Sequence, residues 1–191
     1  MYQKYQTDAI VLRGYERGEA DRVYALYTRE FGSLWARASA VRRESSKMRY
    51  ALQQYAQVRV SLVRGSAGWR LAGAAMERAI EPLNANGTRT FARIATLVER
   101  LLAGEERNDY HFATLVEAHA ALMQEPREAH ATIELLCVAR ALYALGYVSA
   151  EAAGAALFTH AAYALPDLQA AEATRQKLLS SVNKALSETH L

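Results

Sequence analysis

Cysteines, prolines and long apolar runs are scarce in this chain of 191 residues, and each scarcity closes a class of explanation. Its single cysteine, Cys137, permits no internal disulfide and no metal site built on paired thiolates, which excludes a zinc ribbon. No apolar run approaches the roughly 18 residues of a membrane-spanning helix. The start, Met1-Tyr2-Gln3-Lys4-Tyr5, has no apolar stretch before Asp8, so no signal peptide is expected and the reading is cytoplasmic. The three prolines, Pro82, Pro126 and Pro166, each fall where a regular pattern stops.

What is present is a globular composition, 51% hydrophobic and 23% charged, with an uneven charge. Residues 1–70 carry 13 Lys+Arg against 6 Asp+Glu, a balance of +7, whereas residues 71–191 carry 10 against 14, a balance of −4. Such a split suggests that one half meets a polyanion, although an Arg-rich solvated surface gives the same count.

Residues 1–80 read as β-strands. Apolar and β-branched residues come in short runs at Thr7–Arg13, Asp21–Thr28, Ser33–Ala40, Gln57–Arg64 and Trp69–Met76, broken by glycines and charges. Gly14–Glu19 reads as a polar turn. Residues 41–54 read as an exposed basic loop. Five β-strands of these lengths match a small barrel such as the OB-fold, and a five-stranded barrel of another type fits almost as well. The period turns helical after the polar segment Glu81–Gly87, which is the expected domain boundary. Helices are predicted over Thr88–Ala103, Asp109–Gln124, Glu128–Leu145, Ser149–Phe158 and Asp167–Glu188. The fold class is therefore α+β: residues 1–80 form the barrel and residues 81–191 an all-α domain.

Catalytic chemistry finds no footing. His111, His119, His130, His160 and His190 form neither an HExxH nor a cluster with metal-ligand spacing, and read as structural. Cys137, between Leu136 and Val138, reads as an inert core thiol. Ser45-Ser46-Lys47 lacks oxyanion donors, and the Gly14–Gly18 turn lacks the Lys-Ser/Thr of a phosphate loop. Glu16, Glu19 and Asp21 read as caps of turn amides. No enzyme class, metal or cofactor is predicted.

A basic set remains: Arg37, Arg42, Arg43, Lys47, Arg49, Arg59, Arg64 and Arg70, interleaved with Trp35, Tyr50, Tyr55 and Trp69. Guanidinium groups bind phosphates and aromatic rings stack on bases, so these residues are the candidate DNA contacts. The competing reading is that Trp35 and Trp69 simply fill the barrel.

The order of several segments resembles the RecO recombination mediator family. These are Ala9-Ile10-Val11-Leu12, Gly18-Glu19-Ala20-Asp21-Arg22-Val23, Leu26 to Leu34, Ala38 to Lys47 with its basic Ser-Lys loop, Leu52-Gln53-Gln54-Tyr55, and Leu142-Tyr143-Ala144-Leu145-Gly146-Tyr147. The resemblance implies an N-terminal OB-fold and a helical C-terminal domain without catalysis. It further implies binding of single- and double-stranded DNA, strand annealing, and cooperation with RecR and the acidic C-terminal tail of single-stranded DNA-binding protein in loading RecA. A nucleoid-associated place in the cytoplasm follows from that role. By position, Arg37, Arg42, Arg43, Lys47 and Arg49 match the family's basic region, whereas Arg59, Arg64 and Arg70 rest on composition alone. Many family members carry a four-cysteine zinc module after the Leu-Gly-Tyr segment. Here Val148-Ser149-Ala150-Glu151 follows, so the chain resembles a zinc-less variant. Arg140 is the one helical-domain residue suggested for the acidic tail. The alternative function is a non-catalytic adaptor whose barrel docks an acidic protein, with weak DNA contact.

Overall fold

Alternation of small apolar and charged residues is what closes the first sheet. In a computed structural model, which describes residues 3–78, 85–102, 104–150 and 154–189, five β-strands form a closed barrel. They are β1 (Lys4–Arg17), β2 (Asp21–Thr28), β3 (Gly32–Ala38), β4 (Gln57–Gly65) and β5 (Gly68–Arg78), with a one-turn helix, α1 (Met48–Ala51), between β3 and β4. The order around the barrel is β1-β2-β3-β5-β4, antiparallel throughout except where β3 runs parallel to β5. This is the OB-fold. Leu34, Ala36 and Ala38 of β3 and Val58, Val60 and Leu62 of β4 fill the interior, while Trp35, Arg37 and Arg59 on the intervening positions point outward. Trp69 does fill the barrel, at 5% exposure; Trp35 does not.

Two expectations change here. β1 runs on to Arg17, so the turn is only Gly18–Ala20. Gly14 reads as a turn glycine, yet it sits opposite Tyr24, whose buried ring lies 2.8 Å from where a Cβ would be. The residue is glycine because the ring takes its space. The basic loop is also less exposed than expected. Val41 and Leu52 belong to the barrel core, Ala51 is buried too, and α1 is too short to show a period.

Two compact units emerge: Met1–Ile80 with Leu102–Arg107, and Glu81–Leu101 with Asn108–Leu191. In the first, the segment around Glu105 lies on one end of the barrel. Ser33 donates its N–H to the Gly104 carbonyl (3.3 Å), and the Trp69 indole donates to Glu105 (2.9 Å). Gly32, at φ +63°, approaches so closely that a Cβ would stand 2.2 Å from the Glu106 carbonyl oxygen. Gly32→Ala meets both the left-handed backbone penalty and this clash. It is expected to destabilise the barrel by at least about 2 kcal/mol, read as a lower urea midpoint in the fluorescence of Trp35 and Trp69, both of which lie in this unit.

The second unit contains α2 (Ala85–Leu101), α3 (Asp109–Gln124), α4 (His130–Ala144), α5 (Leu165–Ala173) and α6 (Arg175–Glu188). Phe91, Ile94 and Val98 of α2, Phe112, Leu115 and Leu122 of α3, and Ile133, Leu136 and Leu142 of α4 supply its core. The central helix is α4, which packs against α2, α3, α5 and α6. Asn108 caps α3, its side chain accepting the His111 N–H (2.9 Å).

The helix limits also shift. α2 begins at Ala85, so Thr88 lies inside it rather than at its cap; Ala103 lies outside the described residues, as do residues 81–84 of the expected boundary and His190. The expected helix over 149–158 cannot run through Gly154, at φ +99°, and its described end is a 3-10 turn at Ala155–Phe158; residues 151–153 lie outside the description. The expected 167–188 helix is two helices divided at Thr174, and Pro166 lies in the first turn of α5, where a missing N–H does no harm.

Cys137 is wholly buried, and desolvation pushes its thiol up to about 12, as befits an inert side chain. Arg140 is fully buried too. Its guanidinium donates to the Leu157 carbonyl (2.8 Å) and the Ala162 carbonyl (2.7 Å), and stacks 4.8 Å from the Tyr163 ring centre. It is therefore a core-bracing residue and does not present itself to an acidic tail. Among the described residues, no helix is long and apolar enough to cross a membrane.

Candidate nucleic-acid interface

β-Sheet register decides which of the basic residues share a surface. Directly paired residues point to the same side of a sheet. Two outward rows therefore cross the barrel: Arg13–Ala25–Trp35 over β1, β2 and β3, and Tyr15–Val23–Arg37–Arg70 over β1, β2, β3 and β5. The small residues of β2 leave room for the rings on either side. Tyr15 and Trp35 come within 5.5 Å, centre to centre, while remaining 51% and 43% exposed. Arg13 lies 5.2 Å from the Trp35 ring centre. The result is an aromatic surface framed by Arg13, Arg37 and Arg70.

Asp21 orients Arg37, accepting from its Nε (2.9 Å) and one Nη (2.5 Å). The Ala40 N–H and then Arg37 hold the Asp21 carboxyl below the usual carboxylate range, so this brace stays charged. Arg42 is mainly architectural. It donates to the Gly18 (3.3 Å) and Glu19 (3.0 Å) carbonyls and pairs with Glu16 (3.3 Å), fastening the β1–β2 turn to the segment after β3. Arg43 and Lys47 follow it, both exposed and, among the described residues, without a side-chain hydrogen bond or ion pair. Arg49 stacks 4.6 Å from the centre of the exposed Tyr50 ring.

The remaining two candidates lie elsewhere. Arg59 faces out from β4 toward Asp8 and Glu77, 3.0 Å from each, and hydrogen bonding to Asp8 raises its pKa above the ordinary arginine value. That neighbourhood also holds Glu30, hydrogen-bonded to Thr7, and is unfavourable to phosphate. Arg64 sits at the barrel end, 5.1 Å from the Trp69 ring centre and paired with Glu105 at 3.2 Å. Tyr15 escaped sequence reasoning because it lies in the Gly14–Glu19 stretch that reads as turn, and Arg13, the last residue of the predicted first strand, because it lies outside the basic cluster. The signal was the continued alternation Arg13, Tyr15, Arg17 past Gly14.

The barrel's sequence matches a known family model, Recombination protein O N terminal, over residues 1–71. The N-terminal unit is similar to the N-terminal domain of RecO proteins. Similar proteins carrying the name DNA repair protein RecO include one from Pelotomaculum thermopropionicum, 43% identical over 61 residues, 32% of this chain and 24% of that protein. One from Myxococcus xanthus is 39% identical over 66 residues, covering 34% and 27%, and one from Cutibacterium acnes is 41% identical over 61 residues, covering 32% and 25%. The match thus spans about a quarter of these relatives' length. The family match over residues 1–71 takes in both outward rows as far as Arg70 and leaves most of β5 and the helical unit outside.

Proposed function

We propose that the chain is a non-catalytic recombination mediator of DNA repair. Its barrel, residues 1–80, binds single- and double-stranded DNA, and its helical domain, residues 81–191, serves protein partners. The observation that carries this reading is the outward row Tyr15–Val23–Arg37–Arg70 beside Arg13–Ala25–Trp35, which joins cations to exposed rings on one face of a RecO-type OB-fold. Arg13, Arg37, Arg43, Lys47, Arg49 and Arg70 are the phosphate contacts; Arg42 shapes the turn beside them. Arg59 and Arg64, already bound to carboxylates away from this face, are left out of the contact set. Binding is electrostatic: each phosphate neutralised releases counterions, and complementary strands held with their charge screened can anneal. By its kinship with RecO proteins, the chain acts with RecR, with the acidic tail of single-stranded DNA-binding protein and, through them, in loading RecA.

A second reading, an adaptor for an acidic protein, draws on the fact that Arg37 and Arg42 already accept carboxylate partners. One titration separates the two. A fluorescent single-stranded oligonucleotide is bound across a salt series, with annealing scored in the same mixtures. The mediator should bind tightly at low salt, and Arg43→Ala/Lys47→Ala should flatten the slope of log affinity against log salt by about 0.7 per lost contact. These two residues suit the test because neither braces the fold. Absence of binding at low salt would overturn the mediator in favour of the adaptor.

A further inference from the structure

We propose that Tyr15 and Trp35 form a stacking shelf for unpaired bases, which makes the barrel prefer single-stranded to double-stranded DNA. This rests on the reading that the β1-β2-β3 face binds DNA, and specifies which chemical feature of the nucleic acid that face selects.

The barrel's structural need for aromatic residues is met elsewhere. Tyr5, Phe31 and Trp69 meet at 5.1–5.6 Å between centres, where Trp69 fills the interior. Trp35 and Tyr15 add nothing to that cluster. They leave about half of their surface in water, although each would contribute stability if turned into a core. Their rings are tilted 53° to one another, so they are not closed into a parallel stack that would consume both faces.

The shelf is also held in place. Arg13 at Trp35 and the flat bed of Val23 and Ala25 restrict the rings, reducing the ordering a ligand must impose. Arg37 stands two residues from Trp35 on β3, about 7 Å along the strand, with Arg70 beside it in the next row position. A phosphate can therefore rest on the arginines while its base lies on a ring.

Only an unpaired base can use such a shelf. In a duplex both faces of each base are covered by its neighbours, and the protein meets edges and phosphates; in a single strand the faces are free. The arginines bind both forms through phosphate, whereas the rings add affinity for one. Charge alone cannot produce that difference, which is why the effect of the aromatic residues can be separated from that of the arginines.

The test measures affinity of the full chain for oligothymidylate and for a mixed-sequence duplex of the same length, at several salt concentrations. Tyr15→Ser/Trp35→Ser should weaken single-strand binding about tenfold, leave duplex binding within about twofold, and leave the salt slope unchanged. Tyr15→Phe/Trp35→Phe, which keeps the aromatic faces, should retain the preference; this guards against loss through misfolding. Trp35 emission should be quenched by the single strand and not by the duplex, against the constant signal of buried Trp69. Equal losses for both DNA forms, or none for either, would overturn the shelf while leaving DNA binding intact. Failure of the unaltered chain to bind either DNA at low salt would instead overturn the DNA-binding reading and the shelf with it.

Discussion

Arg140→Met is expected to lower the stability of the helical unit by about 3 kcal/mol, although arginine and methionine have similar length. The guanidinium is wholly buried and donates to two carbonyls, of Leu157 and Ala162, in the segment between α4 and α5. Removing it strands the buried Leu157 oxygen, at about 1–3 kcal/mol, and ends the charge-assisted bond to the carbonyl of the exposed Ala162. The contact with the Tyr163 face, worth up to about 2 kcal/mol when desolvated, goes as well. Opposing this, methionine relieves the desolvation of a buried cation, which alone can favour an apolar replacement by about 1–4 kcal/mol. The Leu157 carbonyl decides the sign, because it stays buried with no donor to replace the one lost. Arg140→Lys keeps the charge but offers no fork to reach two acceptors, and should fall between. Urea unfolding followed by circular dichroism of the helices is the measurement. A midpoint unchanged in Arg140→Met would show that Leu157 and Ala162 find other donors.

Arg140 also shows where the sequence could and could not be read. It lies four residues after Leu136 and seven after Ile133, on the apolar stripe of α4, so its position in the helix period marks it as buried. Its charge suggests the surface, and that suggestion prevails until its carbonyl partners, 17 and 22 residues away, are in view. The barrel was legible for the opposite reason: each β-strand declares its inner face through residues such as Leu34, Ala36 and Ala38, without reference to distant chain. Turn residues were legible only in kind. Gly14 reads as a turn glycine yet yields space to Tyr24, and Gly32, at the turn into β3, yields space to the Glu106 backbone.

The candidate interface was legible as a composition and hidden as a surface. Eight basic residues crowd the stretch from Arg37 to Arg70, but no local pattern says that Arg37 and Arg70 are neighbours across a parallel pairing. Nor does one say that Arg59 faces Asp8, 51 residues away, or that Arg64 leans on Trp69. Those facts belong to the register of a closed sheet. Gly14 also concealed Tyr15, because a single glycine after Arg13 mimics a turn and hides that the strand continues to Arg17.

Stability should fall by about 2 kcal/mol between pH 7 and pH 5 through one residue, His111. Its ring is completely buried at the first turn of α3, and burial lowers its pKa from 6.5 to about 4. In the folded protein the imidazole therefore stays neutral through mild acid, whereas in the unfolded chain it takes up a proton near pH 6.5. The unfolded state binds more protons across this interval, so unfolding is favoured as pH falls from about 6.5 toward 4, and the effect levels off once both states are protonated. The full difference approaches about 3 kcal/mol, and restricting the measurement to pH 5 and above keeps most carboxylate titration out of it. His111→Gln has no titrating ring. Whatever its stability at pH 7, its urea midpoint should vary much less between pH 7 and pH 5 than that of the unaltered protein. If the two midpoints decline in parallel, acid sensitivity arises at another group, and the buried imidazole of α3 is not the proton-linked element of the helical unit.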